Sequence, residues 1–262
     1  MVELKKISEI IETSAPLASQ ESWDNSGWQI CLGNPEVARI LVTLEVNEEV
    51  VAEAIAEKVQ LIVSHHPLIF GGIKKVDIAT STGSMICSLI QNGINVYATH
   101  TPFDKCEGGN NDYLAKLLEL QDIQMIPGDD TGICRMGMLK EPCTIAEIAE
   151  CYAEKTGQNF RDYRIAGNPN KSVSRIGLCT GAGSEFFGTA AAAGCDLFVT
   201  GDVKYHEAHH AREMEIALLD LGHYGSEQIF TENMAELLRH ELGEAVEILE
   251  SAASLNPFSC LE

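Results

Sequence analysis

At 262 residues the chain is long enough for one large domain or two small ones with an ample core. Its 39 acidic against 18 basic residues give a net charge of −21, which argues against nucleic acid and anionic membranes as partners, since both are gripped through Lys and Arg. Apolar residues make up 45% and charged residues 22%, as in an ordinary soluble globular protein, and no stretch approaches the ~18–20 apolar residues of a membrane span.

Leu4 to Thr13 reads as a helix with Ile7, Ile10 and Ile11 on one face. No apolar h-region accompanies it, so no signal peptide is predicted and the expected compartment is the cytoplasm. Trp23-Asp-Asn-Ser-Gly-Trp28 is turn-rich and leads into a short strand, Gln29 to Leu32. Ala38 to Glu45 is a strand, and Asn47 can cap a helix from Glu48 to Lys58. Gln60 to Ser64 is a strand, Thr80 to Asn92 a helix stopped by Gly93, Ile94 to Thr99 a strand, and Asn111 to Leu120 a helix. Strands separated by helices of this length indicate an α/β fold built on mainly parallel or mixed sheets.

A second module starts near Ile123, giving two predicted domains: 1–122 with 228–262, and 123–227. Its elements are a strand from Thr131 to Leu139, a helix from a capping box at Thr144 and Glu147 to Lys155, and a strand from Phe160 to Ile165. A turn at Gly167–Lys171 precedes a strand at Ser174–Cys179, a helix at Ser184–Ala193 and a strand at Asp196–Thr200. A helix at His206–Glu213, a strand at Ile216–Leu221, a long helix at Glu227–Glu241 and a strand at Ala245–Ser251 follow. Setting Arg39–Ser64 over Arg175–Thr200 matches seven of 26 positions, and His100-Thr-Pro-Phe-Asp104 lies over His223-Tyr-Gly-Ser-Glu227. Two related halves would produce this match, as would generic βαβ patterning.

The nine cysteines (Cys31, Cys87, Cys106, Cys134, Cys143, Cys151, Cys179, Cys195 and Cys260) are odd in number and form no Cys-x-x-Cys pair. They argue against a disulfide framework or a zinc ribbon, and most are expected to be buried. Polar candidates instead collect at strand ends, where parallel sheets bind ligands. Leu61-Ile-Val-Ser-His65-His66-Pro67 places two imidazoles at the end of a buried strand. Strand alternation would point the two rings apart, which suits two adjacent ions better than chelation of one. His100 with Asp104 and His223 with Glu227 each follow a strand, with the four-residue spacing that shares a helix face. Histidine and carboxylate without cysteine are the donor set of zinc, iron, manganese or cobalt. Each group also has an ordinary reading: a strand-end turn at His65-His66, an Asp104–Lys105 contact, a loop histidine at 223, and Glu227 at a helix N-terminus.

In Tyr205-His-Glu-Ala-His-His210, the glutamate is out of register for a His-Glu-x-x-His metal helix. His206 is therefore expected behind the donors or as a proton shuttle, and His240 on the surface. Thr180-Gly-Ala-Gly-Ser184 can cradle an anion or simply make a tight turn, with tight-turn geometry favoured. No Gly-x-Ser-x-Gly elbow is present.

Trp23-Asp-Asn-Ser-Gly, Ser64-His-His-Pro67, His100-Thr-Pro-Phe-Asp104 with Gly108-Gly-Asn-Asn-Asp112, Cys179-Thr-Gly-Ala-Gly-Ser184, Thr200-Gly-Asp-Val203 and Gly222-His-Tyr-Gly-Ser-Glu227, in this order, are highly specific. Through them the whole chain resembles the Nif-three-like dinuclear-metal hexameric proteins, or GTP cyclohydrolase I type II homologues. The resemblance implies two related α/β domains with a metal site between them, a toroidal homohexamer, and two divalent transition-metal ions per protomer. The family ligands fall on His65, His66, Asp104, His223 and Glu227. On this expectation Asp104 bridges the ions, His65 and Glu227 hold one, and His66 and His223 hold the other. His100 and His206 shuttle protons or orient ligands. The expected function is a metal-dependent hydrolase of a small nucleotide-like molecule. A phosphoesterase and a non-enzymatic metal- or partner-binding scaffold are the alternatives.

Overall fold

The computed structural model describes every residue except Asn34 and those from 260 to 262, so the expectation for Cys260 lies outside the described residues. In chain order the elements of the first stretch are β1 (Val2–Glu3), α1 (Leu4–Ser14), β2 (Gly27–Ile30), β3 (Glu36–Val37), β4 (Arg39–Thr43), α2 (Glu48–Ala56), β5 (Leu61–Ser64), α3 (Ser81–Gln91), β6 (Asn95–Ala98) and α4 (Thr101–Lys105). Then come α5 (Asn110–Leu117), β7 (Gln121–Met125), β8 (Arg135–Thr144), α6 (Ile145–Thr156), β9 (Arg164–Ala166), β10 (Ser172–Leu178), α7 (Phe187–Ala192), β11 (Leu197–Thr200), α8 (Tyr205–Glu213), β12 (Ala217–Asp220) and α9 (His223–Glu227). The chain closes with α10 (Ile229–Leu242) and β13 (Glu247–Glu250). No described helix is long and apolar enough to cross a membrane.

The chain divides into two compact units. Unit 1 is Met1–Cys106 with Phe230–Leu255, and unit 2 is Glu107–Ile229 with the described residues after Leu255. The first unit is discontinuous, and its first boundary lies at 106/107. The reason is α5: Leu114, Ala115 and Leu118 bury their side chains with Ile176, Leu178 and Tyr152 in the core of unit 2.

Unit 1 holds a five-stranded sheet in the order β13-β4-β5-β6-β2, with β2 antiparallel to β6 and the other pairings parallel. Its strands are apolar on both faces, as covered parallel strands must be. Leu41, Ile62 and Val96 join the helices α2 and α3 in one core, while Ile40, Val42, Leu61 and Val63 are fully buried on the opposite face. Asn47 caps α2 by accepting from the Val50 N–H at 2.9 Å, and Glu48 and Glu49 suit the positive end of the helix.

Unit 2 holds a six-stranded sheet, β7-β8-β10-β11-β12-β9, with a parallel centre and antiparallel flanks. Alternate residues divide between two cores: Leu197, Val199 and Leu219 face one, Phe198 and Leu218 the other. The capping box at Thr144 and Glu147 forms as expected.

Several elements differ from their sequence readings. β7 escapes a hydrophobic-pattern search because its residues are mostly exposed. The strand expected from Thr131 starts only at Arg135, because the Asp129 carboxylate accepts from the Thr131 and Cys134 N–H groups and holds a turn there. Phe160–Asp162 is a 3-10 turn that Asn159 caps, and the strand begins at Arg164. The helix expected from Glu227 is preceded by α9, so Glu227 ends a short helix and the dipole reading of it falls away. Tyr-Gly at 224–225 argues against helix, yet the Gly225 carbonyl is satisfied at 2.8 Å by both the Tyr152 hydroxyl and the Gln158 amide. The eight described cysteines are all free thiols, but only Cys134, Cys179 and Cys195 are fully buried.

Candidate metal centre

In unit 1 the donors gather where β5 and β6 end. β5 stops at Ser64, so strand alternation no longer governs His65 and His66, which lie in a bend. Their rings therefore do not point apart: the centroids are 5.3 Å from one another and the planes differ by 36°. His65 is fully buried, with Nδ1 3.0 Å from the Thr99 carbonyl oxygen. A carbonyl only accepts, so Nδ1 carries the proton and Nε2 the lone pair. That Nε2 is 3.6 Å from Oδ1 of Asp104, which is itself buried on α4. Two acceptors face one another there, an arrangement that a cation satisfies.

His100 precedes α4, and its ring lies 5.0 Å from that of His65 and 5.5 Å from that of His66. His65, His66 and His100 can each offer one ring nitrogen with all three within 4.8 Å, the spread of a metal-binding group. Behind His100 stands Asp24, from the Trp-Asp-Asn-Ser-Gly stretch, with Oδ1 2.9 Å from His100 Nδ1. Burial raises the Asp24 pKa, but hydrogen bonds from His100, Thr101 and Ser26 outweigh it. They hold the carboxyl well below the usual carboxylate range. Lys105 reaches Glu21 at 2.5 Å and the Ser19 carbonyl at 3.0 Å.

In unit 2 the i, i+4 spacing on α9 brings His223 Nε2 to 3.0 Å from Glu227 Oε2. The other ring nitrogen, Nδ1, lies 2.8 Å from Oδ2 of Asp202, which has a positive φ of 54°. Both ring nitrogens of His223 thus face carboxylates, which only accept. Glu227 is buried against Gly181: a Cβ at 181 would stand 2.2 Å from Glu227 Oε1, and φ there is +66°. Only glycine fits this approach. The Thr180–Ser184 segment is a tight turn in which three of the five N–H groups already have protein acceptors. Thr180 N–H donates to Asn111, Gly181 N–H to Ser226 and Gly183 N–H to Thr200. His223 and Asp202 line a cleft of about 590 Å³ together with Gln158, Tyr163, Tyr224 and Gln228.

The donor chemistry of each unit fits a divalent ion. His206 is exposed on α8 against the Tyr205 ring at 5.3 Å, and it joins no group of clustered donors among the described residues. His240 is exposed beside Glu241. Sequence reading did not single out Asp24, Asp202 or Gly181 individually, although each lies in a quoted motif.

An α/β chain with His and carboxylate donors at parallel strand ends is the class of molecule that fold and site define. The model of the Duf34/NIF3 (NGG1p interacting factor 3) family matches residues 2–257, and the chain belongs to that family. It is 34% identical over 261 residues to a Clostridium perfringens protein named "GTP cyclohydrolase 1 type 2 homolog", covering 98% of this chain and 99% of that one. It is 32% identical over 241 residues to a Helicobacter pylori protein named "GTP cyclohydrolase 1 type 2", covering 91% and 92%. The crystal structure of a Staphylococcus aureus hypothetical protein superposes with a TM-score of 0.92 at 27% identity, covering 99% of both chains.

Proposed function

We propose that the chain is a metal-dependent hydrolase of a small nucleotide-like molecule, working in the cytoplasm as a homohexamer with two divalent transition-metal ions per protomer. His65, His66 and Asp104 of unit 1 and His223 and Glu227 of unit 2 are the residues that would hold them. The observation that carries this reading is the unit 1 group: three imidazoles within 4.8 Å and a buried carboxylate facing one of them. The names of the relatives support GTP as the first substrate to try, and the cleft beside His223 offers room for one.

Divalent zinc, iron, manganese or cobalt bound there would supply Lewis acidity and a water acidified toward neutrality. The protein's own part is orientation and proton handling. Thr99 and Asp202 fix the proton of His65 and His223 on Nδ1, leaving Nε2 as the donor. His100 exchanges protons at Nε2 with the substrate or its attacking water. His206 is the weaker proposed shuttle, given its exposed place on α8.

Elemental analysis of metal-loaded protein, followed by a panel of GTP, other nucleotides and phosphoesters with the same metal, tests this reading. Two ions per protomer and turnover abolished by chelation are expected. A plateau at one ion or none overturns the dinuclear centre. Turnover of phosphoesters alone assigns a phosphoesterase, and full metal loading without turnover on any compound favours the scaffold. Light scattering checks the hexamer.

A further inference from the structure

The Asp24 carboxylate is placed in a way the proposed chemistry has not used. Its side chain is fully excluded from solvent. Oδ1 accepts from His100 Nδ1 at 2.9 Å and from the Asn25 N–H at 2.7 Å. Oδ2 accepts from the Thr101 hydroxyl at 2.6 Å, the Ser26 hydroxyl at 2.9 Å and the Thr101 N–H at 3.2 Å. The Ser26 hydroxyl in turn accepts from the His100 N–H at 3.0 Å. Both the ring and the backbone of His100 are thus tied to one short stretch some 76 residues earlier. A buried charge held by this many donors at a ring nitrogen has little rotational freedom, and the ring it holds has little either.

We propose that Asp24 is the positioning residue of His100. It pins the neutral imidazole as the Nδ1–H tautomer, with the Nε2 lone pair turned toward His65 and His66. An ionised carboxylate can only accept, so a neutral His100 must bring its proton to Nδ1. A hydrogen bond to a charged group favours that tautomer by about tenfold or more. The Nε2 nitrogen is then a ready proton acceptor, and one ring nitrogen of His100 lies within 4.8 Å of those that His65 and His66 offer. Asp202 does the same for His223 in unit 2, but from a half-exposed position. The inference deepens the metal-hydrolase reading and rests on it for what Nε2 serves; the tautomer itself does not depend on any metal.

Two-bond ¹H–¹⁵N spectra of the imidazole rings in the metal-free full chain provide the test, with the His100 signals assigned by their loss in His100→Ala. Wild type should show His100 as the Nδ1–H tautomer in at least about tenfold excess. In Asp24→Asn, the amide oxygen should stay on the side of the two Thr101 donors and Ser26, which turns the amide N–H toward His100. Its Nδ1 must then accept, so the tautomer should invert. Thr101→Val removes one of the hydrogen bonds to Asp24 without touching the His100 ring, and it should leave the tautomer unchanged. A wild-type His100 that is Nε2–H or a rapid mixture overturns the inference even if Asp24→Asn fails to fold. So does an equal shift in Thr101→Val, which would make Asp24 a general support of the loop. Failure to bind two ions would overturn the metal reading alone and leave this result untouched.

Discussion

The same place in the two sheets does different work. β5 is an inner strand of the four parallel strands of unit 1 and β11 the middle of the three in unit 2, and the residues just past them are His65-His66 in unit 1 and Gly201-Asp202 in unit 2. In unit 1 these residues are themselves donors. In unit 2 the first has no side chain: a Cβ at Gly201 would come within 2.7 Å of the Gly222 carbonyl carbon and 2.8 Å of the His223 nitrogen. The second, Asp202, holds the Nδ1 of His223. Unit 2 therefore brings its donor from the next strand end and uses the middle strand to aim it. Unit 1 places donors on both and draws its aiming carboxylate, Asp24, from a distant loop. Similar βαβ frames thus carry candidate donors in unit 1 and an orienting carboxylate in unit 2.

The largest expected effect tests whether both copies serve one centre. Removing a direct ligand should cost at least the ~10–100-fold that outer-shell changes cost in comparable sites. His65→Ala, His66→Ala and His223→Ala should each weaken metal binding by that much, and Asp104→Ala should lose more metal than His100→Ala. Wild type should also gain stability on reloading after chelation, about 2.7 kcal/mol at a hundred times the dissociation constant, and each variant should gain less. Metal competition titrations and melting curves report both. Losses confined to the unit 1 variants would leave unit 2 outside the centre and break the comparison.

The glycines of unit 2 come next. Gly201→Ala meets backbone and cannot be relieved by turning a side chain, so a stability loss of ~1–3 kcal/mol is expected. Gly181→Ala should lose a similar ~1–3 kcal/mol from its left-handed backbone. It should also weaken metal binding, because Glu227 must give way. Denaturant titration separates the cases: if Gly181→Ala keeps full metal affinity, the contact with Glu227 has no bearing on the donor.

Helices and caps were the most legible part of this chain. Asn47 and the Thr144 box declare themselves within four residues, and both caps form where expected. The strand-end histidines were legible for the same reason, because an apolar run followed by His-His is local. The boundary at 106 was not, since α5 resembles any amphipathic helix until its partner is known. Asp24 and Asp202 act on rings 76 and 21 residues away, a distance at which sequence spacing carries no geometry. The expected divergence of His65 and His66 failed because the strand ends one residue too early for alternation to apply.

Alkaline pH gives a smaller, graded contrast. Burial raises the pKa of Tyr97 in unit 1 and of Tyr152 and Tyr163 in unit 2 above the ordinary 10.0, with the Glu12 contact adding to the rise at Tyr97. Below pH 10 both folded and unfolded chains keep these protons, so the full stability is present. Above it the unfolded chain releases them first, and stability falls by at most ~1.4 kcal/mol per pH unit for each tyrosine. Unit 2, where burial likewise raises Tyr224, has three such groups and should lose protection first in hydrogen exchange between pH 10 and 11. Tyr152→Phe should flatten the slope, and an unchanged slope would mean the phenol is not linked to folding.

The smallest expected effect concerns the two aiming carboxylates. Asp24 is wholly buried and satisfied by five donors, whereas the Asp202 side chain is 50% exposed. Water can replace part of what Asp202 gives to His223, and Asn tolerates a left-handed backbone as well as Asp does. Asp202→Asn should therefore change stability by no more than about 0.5 kcal/mol. It should weaken metal binding by about tenfold or less, the low end for an outer-shell partner. Asp24→Asn should cost more in stability, because a buried amide leaves one backbone donor facing another. The same competition titration applied to both variants decides the matter. If Asp202→Asn loses as much metal as His223→Ala, Asp202 is itself a donor. The middle strand of unit 2 would then do the same work as that of unit 1.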